Sequence, residues 1–250
     1  MMRNGCVAHR GCSDAAPENT MAAFQLALDC SAVSWIELDV QLSRDGVPMV
    51  IHDFKVDRTT NGTGLVRDMT SAELVRLDAG AWKSLKYAGE HVPQLSEVLD
   101  LCQGSVSLNI ELKTSGNMYP GLEKAVLREI MARGMERDVV LTSFDRQALR
   151  QVKVLDSEIQ TGLIIDAAPN DLAEQLDKLE CTFLSLGYPH VNKQLLRKMA
   201  ERGIIVMAWT VDQLRLMRRL AAMDSELLIC TNRPELWPTA ISRRNWLPFL

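Results

Sequence analysis

The chain has 250 residues, 47% of them hydrophobic and 24% charged, with a formal net charge of −4 at pH 7. These figures fit a globular protein long enough to bury a full core, and they exclude a disordered chain. The acidic balance argues against a nucleic-acid partner, which needs a concentrated basic surface, and the pairs Arg218-Arg219 and Arg243-Arg244 read as solvated surface.

Six cysteines, at 6, 12, 30, 102, 181 and 230, show neither a C-x-x-C pair nor a zinc-like spacing, and they read as reduced thiols. No apolar run approaches the roughly 20 residues of a spanning helix, and His9 as a candidate site residue leaves no room for a leader. The expectation is a cytoplasmic protein without stable membrane insertion; its oligomeric state is open.

In chain order, β-branched runs predict strands at 5–9, 34–40, 106–112, 138–143, 160–165, 182–186, 204–210 and 227–231. Helical patterns fall near 19–31, 95–102, 120–133, 146–155, 170–178, 192–201 and 212–222, with Asn19 as an N-cap and Gly134 and Gly203 as C-terminal caps. Eight strands alternating with helices predict a (β/α)₈ TIM barrel in a single domain, 1–250. A doubly wound sheet is the alternative, but no glycine-rich fingerprint follows the first strand.

Residues 46–53 break the alternation. The Asp45-Gly46 dipeptide signals a two-residue hairpin, in which paired residue numbers sum to 91 and His52 faces Asp39. Residues 54–94, polar and glycine-containing, read as a small insertion after the second strand, beside the site.

Barrel active sites form where the strands end. There the chain has His9 and Arg10, then Glu37 and Asp39, then Glu111 and Lys113, with His52 arriving through the hairpin. Glu37 and Asp39 share a strand face and would repel each other without a cation. Three carboxylates suit one hard divalent cation, Mg²⁺ ahead of Ca²⁺, and a salt-bridge network with Arg10 and Lys113 is the less favoured alternative. His9 and His52 fit a general base and a general acid; His91 and His190 read as loop residues. Arg10 offers a planar fork to a phosphate and Lys113 a point charge. Trp209 ends a strand as a candidate substrate contact. Ser143, Phe144, Tyr188 and Thr231 also end strands, and Trp82 is a possible roof in the insertion.

At AHRG (8–11) with PENT (17–20), ELDVQLSRDGVPMVIHD (37–53), DRTTNGTG (57–64), VPQLSEVL (92–99), NIELK (109–113), SFD (143–145) and AWTVD (208–212), the sequence resembles the glycerophosphodiester phosphodiesterase family, in its cytosolic bacterial form. The resemblance implies a barrel with an insertion after its second strand. It makes His9 and His52 the acid–base pair, Glu37, Asp39 and Glu111 the metal ligands, and Arg10 and Lys113 the phosphate contacts. It also implies hydrolysis of glycerophosphocholine, glycerophosphoethanolamine and similar small diesters to sn-glycerol 3-phosphate and an alcohol. The nucleophile is water or the substrate's own 2-hydroxyl, through a cyclic phosphate. Two positions depart from the pattern: Gln94 replaces a threonine, and Thr231-Asn232 replaces Thr-Asp, which puts the local rim geometry in question. Rival readings are a lysophospholipase D or phosphoinositide-type enzyme, for which the tail 245–250 is the only amphipathic hint, and a non-catalytic phosphoester-binding barrel.

Overall fold

A computed structural model describes residues 4–242. The strands are β1 (Cys6–His9), β2 (Val33–Leu42), β3 (Pro48–Val50), β4 (Ser107–Leu112), β5 (Val139–Ser143), β6 (Gln160–Ile165), β7 (Phe183–Gly187), β8 (Ile205–Trp209) and β9 (Leu228–Thr231). The helices are α1 (Met21–Asp29), α2 (Ser71–Val75), α3 (Leu95–Cys102), α4 (Leu122–Met131), α5 (Arg146–Leu155), α6 (Leu172–Lys178), α7 (Lys193–Ala200), α8 (Leu214–Ala221) and α9 (Trp237–Ile241). Eight strands pair in parallel in the order β1-β9-β8-β7-β6-β5-β4-β2, and pairing of β1 with β2 closes the ring. This is the (β/α)₈ barrel that the alternating pattern predicts.

Strand periodicity divides the side chains between two cores. Outward positions such as Ile36, Leu38, Leu108, Ile110 and Leu141 pack under the helices in the main cluster. Each such fully buried side chain contributes about 1.5–3 kcal/mol. Inward positions Val7, Val140, Phe183, Met207, Leu228 and Cys230, with Trp35 against them, fill the barrel. His9 is two residues beyond Val7 and Glu37 two beyond Trp35, so both continue the inward face above this apolar plug.

The hairpin differs from the two-residue turn expected. Val40 pairs with Val50, Gln41 with Met49 and Leu42 with Pro48, so paired numbers sum to 90 rather than 91. Arg44, Asp45 and Gly46 form a three-residue loop, in which Gly46 N–H donates to the Ser43 carbonyl and Gly46 takes φ +80°. A turn closed by a left-handed glycine is the bulged alternative to a two-residue turn, and it accommodates the same Asp-Gly sequence. The Ile51 N–H donates to the Asp39 carbonyl at 3.0 Å, so this register puts Ile51, not His52, opposite Asp39. Instead, buried Gln41 gathers the chain beyond β3: its Nε2 donates to the carbonyls of Ile51, His52 and Asp53 at 3.0, 2.9 and 2.7 Å. The Tyr119 hydroxyl donates to Gln41 Oε1 at 2.6 Å and fixes that amide.

A second correction concerns Asn19. Thr20 is the N-cap of α1, accepting from the Ala23 N–H, whereas Asn19 sits at φ +57° and turns toward the barrel. Asparagine tolerates this left-handed conformation better than most residues. Residues 54–94 hold α2 and two 3₁₀ turns, and Val56, Val66, Leu74, Ala79 and Val92 pack with Met49 and Ile51 in a cluster of their own. Among the described residues, no helix is long and apolar enough to cross a membrane. Arg243-Arg244 and the tail 245–250 lie outside the described residues.

Candidate active site

Strand register assembles the acidic cluster. His9 lies beside Glu37 across the β1–β2 pair, and Asp39 lies beside Glu111 across the β2–β4 pair. Oxygens of Glu37, Asp39 and Glu111 come within 4.8 Å of one another, and all three residues are buried.

The electrostatics follow from that crowding. Burial, with the neighbouring Asp39 charge, raises Glu37 well above the usual carboxylate range and pushes Glu111 up to about 7. Burial acts on Asp39 in the same direction, but Arg10, His52 and Lys113 outweigh it and hold Asp39 below its ordinary value. Asp39 Oδ1 is buried without a hydrogen-bond donor. An orphaned carboxylate oxygen, facing two carboxylates reluctant to ionise, fits a hard divalent cation and is poorly explained by ion pairing alone.

The cationic side chains occupy the rim of this cluster. Arg10 Nε lies 3.2 Å from Asp39 Oδ2, and its Nη1 donates to Glu18 Oε1 at 2.7 Å. Lys113 Nζ is 2.8 Å from Glu111 Oε1 and 3.2 Å from His52 Nε2. The loop carrying Arg10 needs Gly11: at φ +77°, an added Cβ would sit 2.6 Å from the Ala23 backbone.

The imidazoles differ in their partners. Nδ1 of His9 is 2.7 Å from Asn232 Oδ1, and its Nε2 is 3.8 Å from Glu37 Oε2. Burial, with Arg10 nearby, lowers His9 to about 4, so its ring is neutral at pH 7. Nδ1 of His52 is 2.6 Å from Asp53 Oδ1, and Asp53 is clamped by Arg58, which also binds Glu18. The Arg58 guanidinium holds the Asp53 carboxyl well below the usual range.

A cavity of about 130 Å³ brings together His9, Arg10, Glu37, His52, Glu111, Lys113 and Trp209. A wider one of about 750 Å³ adjoins it, sharing His52, Glu111, Lys113 and Phe144 and adding Phe54, Asp53, Asp145 and Arg146. Of the acid–base, metal and phosphate candidates, all but Asp39 line the inner cavity, and Asp39 lies within reach of Arg10 and Lys113 behind it.

Of the other sequence candidates, Phe144 lines both cavities and stacks edge-on against Trp209 at 6.0 Å. Ser143 instead donates to the Leu112 carbonyl, and Thr231 to Asp212. Trp82 and Tyr188 line neither cavity, and Trp82 donates its indole N–H to the Ala79 carbonyl. His91 binds Glu97 in the first turn of α3, where the Glu97 carboxylate also accepts from the Gln94 backbone N–H, a bond that any residue but proline at 94 can make. His190 is exposed. Residues that strand-end reasoning did not select complete the surroundings. Asn19 donates to Asp39 Oδ2 at 2.9 Å, and Glu18 joins Arg10 to Arg58. Both lie in the PENT segment, whose sequence gives no hint of the contact.

The model of the Glycerophosphoryl diester phosphodiesterase family matches residues 9–236. A glycerophosphodiester phosphodiesterase of Caldanaerobacter subterraneus subsp. tengcongensis is 38% identical over 237 residues, which is 94% of this chain and 96% of that protein. Two solved structures show the same fold at comparable identity. One is an Oleispira antarctica phosphodiesterase in complex with the product sn-glycerol-3-phosphate, with 33% identity, TM-score 0.86, and coverage of 95% of this chain and 96% of that one. The other is a glycerophosphodiester phosphodiesterase from Agrobacterium tumefaciens, with 30% identity, TM-score 0.83, and coverage of 94% and 99%. With its barrel, its buried carboxylates and a match over almost its whole length, the chain belongs to the glycerophosphoryl diester phosphodiesterase family of phosphoric diester hydrolases.

Proposed function

We propose that this enzyme cleaves small glycerophosphodiesters, such as glycerophosphocholine and glycerophosphoethanolamine, to sn-glycerol 3-phosphate and the free alcohol. The reading rests on one observation: two imidazoles, an arginine, a lysine and two carboxylates of the acidic cluster face a single cavity of about 130 Å³. Glu37, Asp39 and Glu111 would hold one divalent cation, Mg²⁺ ahead of Ca²⁺. When bound, such a cation neutralises phosphoryl charge and stabilises its increase in the transition state.

Arg10 and Lys113 orient the phosphate oxygens, and the Trp209 face packs against the glycerol carbons. His9, neutral and with Nε2 toward Glu37, takes the proton of the attacking hydroxyl. His52 gives its Nε2 proton to the leaving alkoxide. The Asp53 carboxylate orients the His52 ring through Nδ1, and the Asn232 amide oxygen does the same for His9. The wider cavity lies on the His52 side and gives the leaving alcohol room. Its size and the half-exposed Phe54 and Phe144 also favour a second reading, a lysophospholipid as substrate. In either case the chain works as one barrel unit with residues 54–94 beside the site. The six free thiols accord with a reducing, cytoplasmic setting.

The test is a coupled assay of glycerol 3-phosphate release from glycerophosphocholine and glycerophosphoethanolamine, with choline release followed from lysophosphatidylcholine, each with chelator and with each cation. Release from the first two that chelator abolishes, and a loss of about 10²-fold or more in His9→Ala and His52→Ala, is expected. Turnover in chelator, or near-parental rates in either variant, would refute the scheme; choline release from the lysolipid alone would favour the second reading.

A further inference from the structure

The loop after β9 holds a hydrogen-bonded relay that ends on His9. Asp212 Oδ1 accepts from the Thr231 hydroxyl at 3.0 Å and from the Asn232 backbone N–H at 2.8 Å. Asp212 Oδ2 accepts from the Asn232 side-chain Nδ2 at 2.8 Å. A carboxylate only accepts, so it fixes which end of the Asn232 amide faces it. The other end, Oδ1, therefore points at His9 Nδ1, 2.7 Å away, and also lies 2.8 Å from the Ser13 hydroxyl. An amide oxygen accepts and never donates, so the proton of a neutral His9 must sit on Nδ1.

We infer that Asp212 and Asn232 are positioning residues that lock His9 in the Nδ1–H tautomer, leaving the Nε2 lone pair directed into the cavity. Neither residue reaches the reacting atoms; both act through His9. The inference extends the proposed reaction by naming what prepares its base. It also gives Asn232, where the family pattern has aspartate, a specific role: its amide passes the fixed acceptor set of Asp212 on to His9.

The hydrogen-bond pattern dictates the variants. In Asp212→Asn, the new Oδ1 must stay on the Thr231 hydroxyl and the fixed Asn232 backbone N–H, so its Nδ2 opposes Asn232 Nδ2, donor against donor. Asn232 escapes by turning its amide over, which presents Nδ2 to His9 and forces the Nε2–H tautomer. Adding Asn232→Asp restores every bond with donor and acceptor exchanged between positions 212 and 232. The His9→Gln spectrum assigns the His9 signals in long-range ¹H–¹⁵N spectra of the cation-free protein, and kcat and KM are measured alongside.

The expected results are Nδ1–H in the parent, Nε2–H in Asp212→Asn, and Nδ1–H again in the double variant. The kcat of Asp212→Asn should fall by about 10²–10⁴-fold with little change in KM, because a wrong tautomer disables a base without removing it, and the double variant should recover most of that loss. An Nε2–H signal in the parent would overturn the inference. So would a folded Asp212→Asn protein with parental tautomer and kcat, or a folded double variant no better than the single one. The spectra need no substrate. A parent that shows the Nδ1–H tautomer but hydrolyses no glycerophosphodiester would count against the proposed function, not against the lock.

Discussion

The carboxylate cluster should make the protein's stability depend on divalent cations, and Glu37→Gln separates this effect from any change in packing. With oxygens no more than 4.8 Å apart and an effective dielectric of about 20, each ionised pair repels by at least about 3.5 kcal/mol. Burial and that repulsion push Glu37 toward its protonated form in the cation-free protein. Glutamine imitates the protonated acid and can still accept from the Arg10 backbone N–H, which the Glu37 carboxylate accepts from at 3.0 Å. Cation-free Glu37→Gln should therefore melt close to the parent. Added Mg²⁺ or Ca²⁺ at about 100 times its dissociation constant should stabilise the parent by about 2.7 kcal/mol. At about 2–4 °C per kcal/mol for a chain of this size, that is a rise of about 5–11 °C. The variant lacks one anionic ligand and should show a much smaller rise at the same concentration. Differential scanning calorimetry with and without chelator reads both effects. A parent indifferent to either cation, or a variant with the full parental rise, would refute the assignment of this cluster as a cation site.

Two further outcomes follow from the geometry. Glu111 has its folded value raised from 4.5 to about 7, so its favourable contribution is complete below 4.5 and is lost as pH rises through about 7, a change of about 3 kcal/mol. His9, lowered from 6.5 to about 4, works in the opposite sense, because its contribution is lost as pH falls through that window. The parent minus Glu111→Gln difference in cation-free unfolding free energy isolates the Glu111 contribution, and it should turn against the parent between about pH 4.5 and 7; a flat difference across that range would contradict it. Gly11→Ala should cost about 1–2 kcal/mol for the left-handed backbone alone, and more because its Cβ meets the Ala23 backbone at 2.6 Å. A melting temperature lower by about 4 °C or more, with activity reduced through Arg10, is expected; an unchanged melting curve would show that the loop yields.

The site was legible in the sequence to the extent that its residues sit on regular strands. His9, Glu37, Asp39, Glu111, Lys113 and Trp209 could be read from strand ends and a two-residue repeat, since alternation along a strand fixes which side chains share a face. His52 was found for a reason that proved incomplete. The hairpin register is shifted by one, and the His52 backbone is held by Gln41, whose partner Tyr119 is 78 residues away. Asn19, Glu18, Asp212 and the role of Asn232 had no local signature. Each lies in an irregular segment, where no periodicity states the direction of a side chain.

By itself, then, the sequence determined the alternating strands and helices, the barrel they imply, and the set of ionisable groups at its mouth. These follow from local periodicity and from residue chemistry, which travel with the chain. Only the tertiary structure decided which oxygen of Asp39 goes without a donor, which cation stands beside which carboxylate, and which partner each histidine receives. Those depend on contacts between segments as much as 223 residues apart, such as His9 with Asn232, and ring closure alone brings such segments together.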